Sequence, residues 1–254
     1  MISLYSGTPG SGKSLHASRD IIRWCKRGKG VITNFPCTMN QVKKAKSTPL
    51  YLDNSELTVK ALTDYARKNH KVGKEGQTLV VIDECQVKFN SRDFNKKDRM
   101  DWVVFFTQHR KYGFDFILIA QYDRMIDRQI RCLIENEVKH RKLNNYGFGG
   151  GVLTLLTLGR SWFIAIEYWY GGNKLKLSEE VFAYRKVYGT IYDTFALFTD
   201  EGKQLQTISG KKDTLPSVER DSTNGREENK RKEEAKQKKF EEQLAKLSPS
   251  FLSP

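Results

Sequence analysis

Residues 7 to 14 read GTPGSGKS, and every fixed position of the phosphate-binding pattern G-x-x-x-x-G-K-[ST] is met. Gly7, Gly10 and Gly12 permit backbone conformations closed to other residues, so that successive N–H groups can face an anion. Thr8, Pro9 and Ser11 fill the intervening loop positions. Lys13 is placed to contact the β- and γ-phosphates of a nucleotide, and the Ser14 hydroxyl to ligate Mg²⁺. The loop follows ISLYS, a short run with β character, and precedes LHASRDIIRWCKRG, which reads as an amphipathic helix. A helix starting at that point adds its positive dipole end to the anion site.

A second group of acids follows about 70 residues later. LVVIDE, 79–84, is a buried-type apolar run ending in two carboxylates. Asp83 is the candidate for the Mg²⁺ shell. Strand side chains alternate, so Glu84 is expected to point elsewhere, where it can act as general base toward water. The strand FDFILIAQ ends in Gln121, a candidate γ-phosphate sensor or water-orienting amide. The preceding helix ends in QHRK, which makes Arg110 the first candidate for an arginine acting on a neighbouring subunit's nucleotide, with Arg128 and Arg131 in reserve. His16, His70, His109 and His140 have no ligand spacing and receive no role.

These residues need elements to hold them. Strands are expected at 2–6, 30–35, 78–83 and 114–121, and helices at 13–26, 55–70 and 100–112. In the second helix Leu57, Ala61, Leu62, Tyr65 and Ala66 share a face and Ser55 is the expected cap. Strand and helix alternate to about residue 130, the pattern of a mostly parallel sheet flanked by helices. Residues 1–132 are therefore read as a P-loop α/β core. Residues 133–210 are aromatic and β-branched, as in RSWFIAIEYWY, and are read as an appended β-rich extension that continues or flanks the sheet. Residues 211–254 form a charged tail, helical between 227 and 247 or disordered.

The 254-residue chain carries a formal charge of +14, which favours phosphate-rich partners such as nucleic acid or anionic lipid. Cys25, Cys37, Cys85 and Cys132 are scattered without a C-x-x-C pair, so reduced thiols are expected. The N-terminus lacks the basic and apolar regions of a signal peptide. No apolar run reaches the ~18 residues of a spanning helix. GFGGGVLTLLTLG, 147–159, is too short to span and is expected in the core or at an interface.

Together, MISLYSGTPGSGKSLHA, GVITNF, LVVIDECQ and FFTQHRKYGFDFILIAQ resemble the Zot family, the zonular occludens toxin-like group that includes the filamentous-phage assembly ATPase. The resemblance runs over most of residues 1–170. It implies a core similar to the HerA/FtsK branch of P-loop ATPases, ATP and Mg²⁺ as ligands, and a homo-oligomeric ring. It also implies phage coat or assembly proteins as partners, and work at the host inner membrane. Many family members continue into a transmembrane helix, which this chain is not expected to contain, so peripheral attachment from the cytoplasm is the expectation. The alternatives are a DNA translocase or packaging ATPase, a small-molecule kinase, and a nucleotide-binding scaffold that hydrolyses little.

Overall fold

Apolar side chains alternate along the central strands and both resulting faces are covered, so consecutive residues enter different cores. In the computed structural model, which describes residues 1–92, 98–145, 160–171 and 175–192 and the pairs 197–198 and 204–205, Ile2 and Leu4 of β1 (Ile2–Ser6) join one cluster and Tyr5 the other. The same split divides Val80 and Ile82 from Leu79 and Val81 in β4 (Thr78–Ile82), and Phe116 and Leu118 from Ile117 and Ile119 in β5 (Phe114–Ile119).

Among the described residues eight strands form one sheet. With β2 (Gly30–Thr33), β3 (Leu50–Tyr51), β6 (Asn136–Lys142), β7 (Trp162–Trp169) and β8 (Lys176–Ala183), the order is β3-β2-β4-β5-β1-β6-β7-β8. The first six positions are parallel, and β7 and β8 are antiparallel. Two short antiparallel strands, β9 (Leu197–Phe198) and β10 (Gln204–Leu205), pair separately. The fold is thus α/β with a mostly parallel sheet, as the strand–helix alternation predicts.

Helix α1 (Lys13–Lys26) buries Ala17, Ile21, Ile22 and Cys25 against one face. Helices α2 (Val59–Asn69), α4 (Arg99–Gln108) and α5 (Arg128–Arg131) bury Leu62, Trp102, Phe105, Phe106 and Ile130 on the other. A one-turn helix, α3 (Cys85–Lys88), follows β4, and another, α6 (Lys186–Thr190), packs beside α1.

Several boundaries differ from the expected ones. Strand β2 stops at Thr33, β4 at Ile82 and β5 at Ile119, short of the polar residues that form the site. Helix α2 starts four residues later than expected and its cap is Thr58, whose Oγ1 accepts from the Ala61 N–H at 3.1 Å. Ser55 is not the cap, because its N–H and hydroxyl both donate to Asp53 Oδ1, winding 53–56 into a separate turn.

From 133 on, β6, β7 and β8 continue the sheet, one of the two placements expected for this region. Strand β6 pairs in parallel with β1 itself, from Ser3↔Asn136 to Ser6↔Lys139, so it builds the wall beside the loop. The stretch 147–159 and the tail 211–254 lie outside the described residues. Among the described residues no helix is long and apolar enough to cross a membrane.

Candidate functional site

Parallel strands bring their C-terminal ends to one edge of the sheet, which gathers Gly7, Asn34, Asp83 and Gln121 from four different strands. The chain leaves β1 at Ser6 and turns through a loop before α1. Gly7 and Gly12 are required by contact as well as by conformation. Gly7 has φ +143, and a Cβ there would lie 2.6 Å from the His140 carbonyl oxygen. Gly12 has φ +97, and a Cβ would lie 2.6 Å from the Phe163 ring. The loop is therefore seated on β6 and β7.

Within it, the Gly7 N–H donates to the Gln121 carbonyl at 3.3 Å and the Ser11 N–H to the Thr8 carbonyl at 3.1 Å. Thr8, Pro9 and Gly10 are exposed. The Ser11 hydroxyl is buried with no hydrogen-bond partner among the described residues. Lys13 Nζ donates to the carbonyls of Gly7 at 2.7 Å and Thr8 at 3.1 Å. Burial lowers its pKa, opposed by the charges of Asp83 and Glu84, so the ammonium and both acids share one electrostatic environment. Ser14 follows in the first turn of α1.

Asp83 is held on several sides. Its N–H donates to Asn34 Oδ1 at 2.7 Å, and Asn34 Nδ2 donates back to the Asp83 carbonyl at 2.9 Å. Oδ1 accepts from the Glu84 N–H at 2.8 Å, and Oδ2 accepts from the Tyr192 hydroxyl. Burial raises the Asp83 pKa, while the Tyr192 and Glu84 hydrogen bonds oppose that shift.

Glu84 diverges from Asp83 for a different reason than the expected strand alternation. β4 has already ended, and Glu84 takes a left-handed conformation, φ 45 and ψ 45, that non-glycine residues rarely adopt. Its Oε2 accepts from Gln86 Nε2.

Gln121 lines a cleft of about 460 Å³ together with loop residues 6–11 and the β6 residues Lys139 and Arg141. Arg110 lies elsewhere. It sits in the turn before Phe114, which pairs with the first residue of β4, at the sheet edge opposite the loop. There its Nη2 donates to Glu135 Oε2. Arg110 cannot serve the loop of its own chain, and only a second copy could bring the two together. Arg128 is exposed at the start of α5, and Arg131 Nη1 donates to the Asp123 carbonyl at 3.5 Å.

Asn34, Tyr192 and a histidine pair are site residues that the motifs do not announce. His16 and His140 are buried, with His16 Nδ1 2.8 Å from His140 Nε2. Arg19 Nη2 lies 2.5 Å from His16 Nε2 and can only donate, so His16 carries its proton on Nδ1 and gives that hydrogen bond to His140. His140 Nδ1 is then the donor to the Ser6 carbonyl, at 3.3 Å. Burial pushes both imidazoles down to about 3, with Arg19 acting further on His16 and His16 on His140. This neutral chain fixes the residue from which the loop springs.

A Mg²⁺–nucleotide pair fits these residues. The buried Ser11 hydroxyl, unpartnered among the described residues, and the Lys13 ammonium on the Gly7 and Thr8 carbonyls are groups an anion can engage. Among the described residues no three His, Cys, Asp or Glu cluster as a metal site. Mg²⁺ in phosphate sites takes one or two protein oxygens and completes its shell with water and phosphate, so such a cluster is not required for it.

The family model described as zonular occludens toxin (Zot) matches residues 1–190. The Gene 1 protein of Enterobacteria phage I2-2 is 29% identical over 212 residues, covering 79% of this chain and 58% of that protein. The Gene 1 protein of Enterobacteria phage f1 is 31% identical over 159 residues, covering 60% and 46%. The chain thus spans under two thirds of the length of these relatives. Among solved structures, the N-terminal domain of zonular occludens toxin from Neisseria meningitidis aligns at 19% identity over 76% of this chain and 98% of that one, with a TM-score of 0.46. The genome packaging NTPase B204 of Sulfolobus turreted icosahedral virus 2, in complex with ATP-gammaS, aligns at 13% identity over 71% and 95%, with a TM-score of 0.44.

Proposed function

Because the chain belongs to the zonular occludens toxin (Zot) family, we propose that it is an ATP-hydrolysing P-loop motor that drives filamentous-phage assembly and extrusion at the host inner membrane. The observation that carries the chemistry is the convergence of Lys13 with Asp83 and Glu84 at the C-terminal ends of parallel strands of the sheet.

In this reading loop N–H groups such as those of Gly12, Lys13 and Ser14 face the phosphates, and Lys13 Nζ exchanges its loop carbonyls for β- and γ-phosphate oxygens. Ser14 and Asp83 would hold Mg²⁺, which when bound would neutralise phosphate charge. Asn34 and Tyr192 keep the Asp83 carboxylate in place. Glu84 takes the proton of a water whose oxygen bonds to the γ-phosphorus, while the β–γ bridging oxygen leaves with ADP. Gln86 orients Glu84, and Gln121 faces the loop from the adjacent strand. Arg110 acts across a ring interface on the neighbouring subunit's nucleotide, stabilising charge there.

In this reading the coupled partners are phage coat and assembly proteins, approached from the cytoplasmic face of the inner membrane. Phosphate release from ATP, measured alone and with anionic vesicles, single-stranded DNA or duplex DNA, separates this from a duplex translocase. Stimulation by vesicles is expected. Stimulation by duplex alone would favour the translocase.

A further inference from the structure

Beyond the phosphate loop lies a hollow of about 730 Å³ that shares the wall formed by Gly10–Ser14. Phe163, Tyr184 and Tyr188 also line it, with Thr38 and Gln41 among its polar lining. This volume is in the range of small-molecule sites, and its composition, aromatic faces with a few polar groups, is what such sites use. The cleft on the other side of the loop has one tyrosine, Tyr122, among charged residues of both signs: Lys139, Arg141 and Lys142 with Asp123 and Glu137.

The aromatic wall is tied to the loop rather than merely near it. Gly12 packs directly on the Phe163 ring, and that ring stacks on Phe182 at 5.6 Å between centroids. Tyr184 lies against the backbone of α6, where a Cβ on Gly189 would fall 2.7 Å from the Tyr184 hydroxyl. Phosphates on the loop would therefore place the rest of a nucleotide beside preformed aromatic faces.

We infer that this hollow is the nucleobase subsite, in which Tyr184 and Tyr188 hold the base by stacking; the inference rests on the nucleotide reading of the loop. Base–aromatic stacking is worth about 1–3 kcal/mol per base, or about 5- to 150-fold in affinity.

The test is calorimetric titration of the full chain, with Mg²⁺, by ATP and by tripolyphosphate, which keeps the phosphates and lacks base and sugar. Wild-type protein should bind both, ATP more tightly. Tyr188→Ala and Tyr184→Ala should weaken ATP by about 5- to 150-fold for the residue that carries the stack, leave tripolyphosphate affinity unchanged, and so close the gap between the two probes. Tyr188→Phe, which keeps the ring, should retain wild-type ATP affinity. ATP affinity unchanged in both alanine variants would place the base elsewhere. Loss of ATP and tripolyphosphate together in a variant would overturn stacking in favour of a structural role. Failure of wild-type protein to bind tripolyphosphate or ATP would remove the loop assignment itself, a result distinguishable from the others.

Discussion

Tyr192 donates a hydrogen bond to Asp83 Oδ2 across 109 positions of sequence, tying the segment after α6 to the acid at the end of β4. Tyr192 also bridges to Cys37, and the Thr38 N–H donates to the Ile191 carbonyl at 3.0 Å, so this segment is pinned on both sides of the site. A hydrogen bond to a buried charged group contributes about 1.5–3 kcal/mol. Tyr192→Phe should therefore lower unfolding free energy by about that amount, read from urea denaturation. In a double-mutant cycle with Asp83→Asn the two changes should couple by about 0.5–3 kcal/mol. Strict additivity would mean that the Asp83 charge adds nothing to the contact.

Lys13→Ala removes the one loop ammonium, which in this structure is satisfied by the Gly7 and Thr8 carbonyls. The fold should survive, since neither carbonyl depends on Lys13 for its place in a strand or helix. ATP affinity should fall by about 10- to 150-fold, the value of a charge-assisted contact. Calorimetry that finds unchanged ATP affinity would contradict the assignment of the loop.

What was legible in the sequence was local. The loop announces itself because its glycines, Lys13 and Ser14 are contiguous, and the central strands do so because burial on both faces leaves unbroken apolar runs such as TLVVI. The left-handed turn at Glu84 was hidden, since nothing in the residue type demands it. Asn34, Tyr192 and the His16–His140 pair were hidden for another reason: their partners are 49, 109 and 124 residues away. The β-rich composition of 133–210 suggested an extension, while the parallel pairing of β6 with β1 depends on a neighbour that composition cannot name.

Arg110 pairs with Glu135 at a half-exposed position, and such surface pairs contribute about 0–1 kcal/mol. Arg110→Ala should therefore fold and bind ATP through its own loop. If Arg110 serves a neighbour, mixing inactive Arg110→Ala with inactive Glu84→Gln protein should restore turnover, with a maximum at intermediate ratios. Full activity in diluted Arg110→Ala protein, with no rescue in mixtures, would rule out a role across the interface.

His16 and His140 are held neutral, their pKa values near 3 against an ordinary 6.5. Arg19, Arg23 and Lys13 disfavour the charged forms and Glu180 opposes them for His16. The unfolded chain takes up protons below pH 6.5 that the folded chain refuses, so stability is full above that pH and declines as pH falls toward 3. The slope is up to about 1.4 kcal/mol per imidazole per pH unit. Urea midpoints between pH 7.5 and 5 should fall accordingly, and His140→Gln should remove about half the slope. A flat wild-type profile would contradict the neutral pair.

The most direct test of the account is single-turnover phosphate release by Glu84→Gln set beside its ATP affinity. Glutamine keeps the shape of the side chain and cannot accept the proton of the attacking water. The account predicts near-normal ATP binding with release slowed by about 10²- to 10⁴-fold. Release within about tenfold of wild type would show that Glu84 is not the base, and wild-type protein that binds ATP without releasing phosphate would contradict a hydrolytic motor.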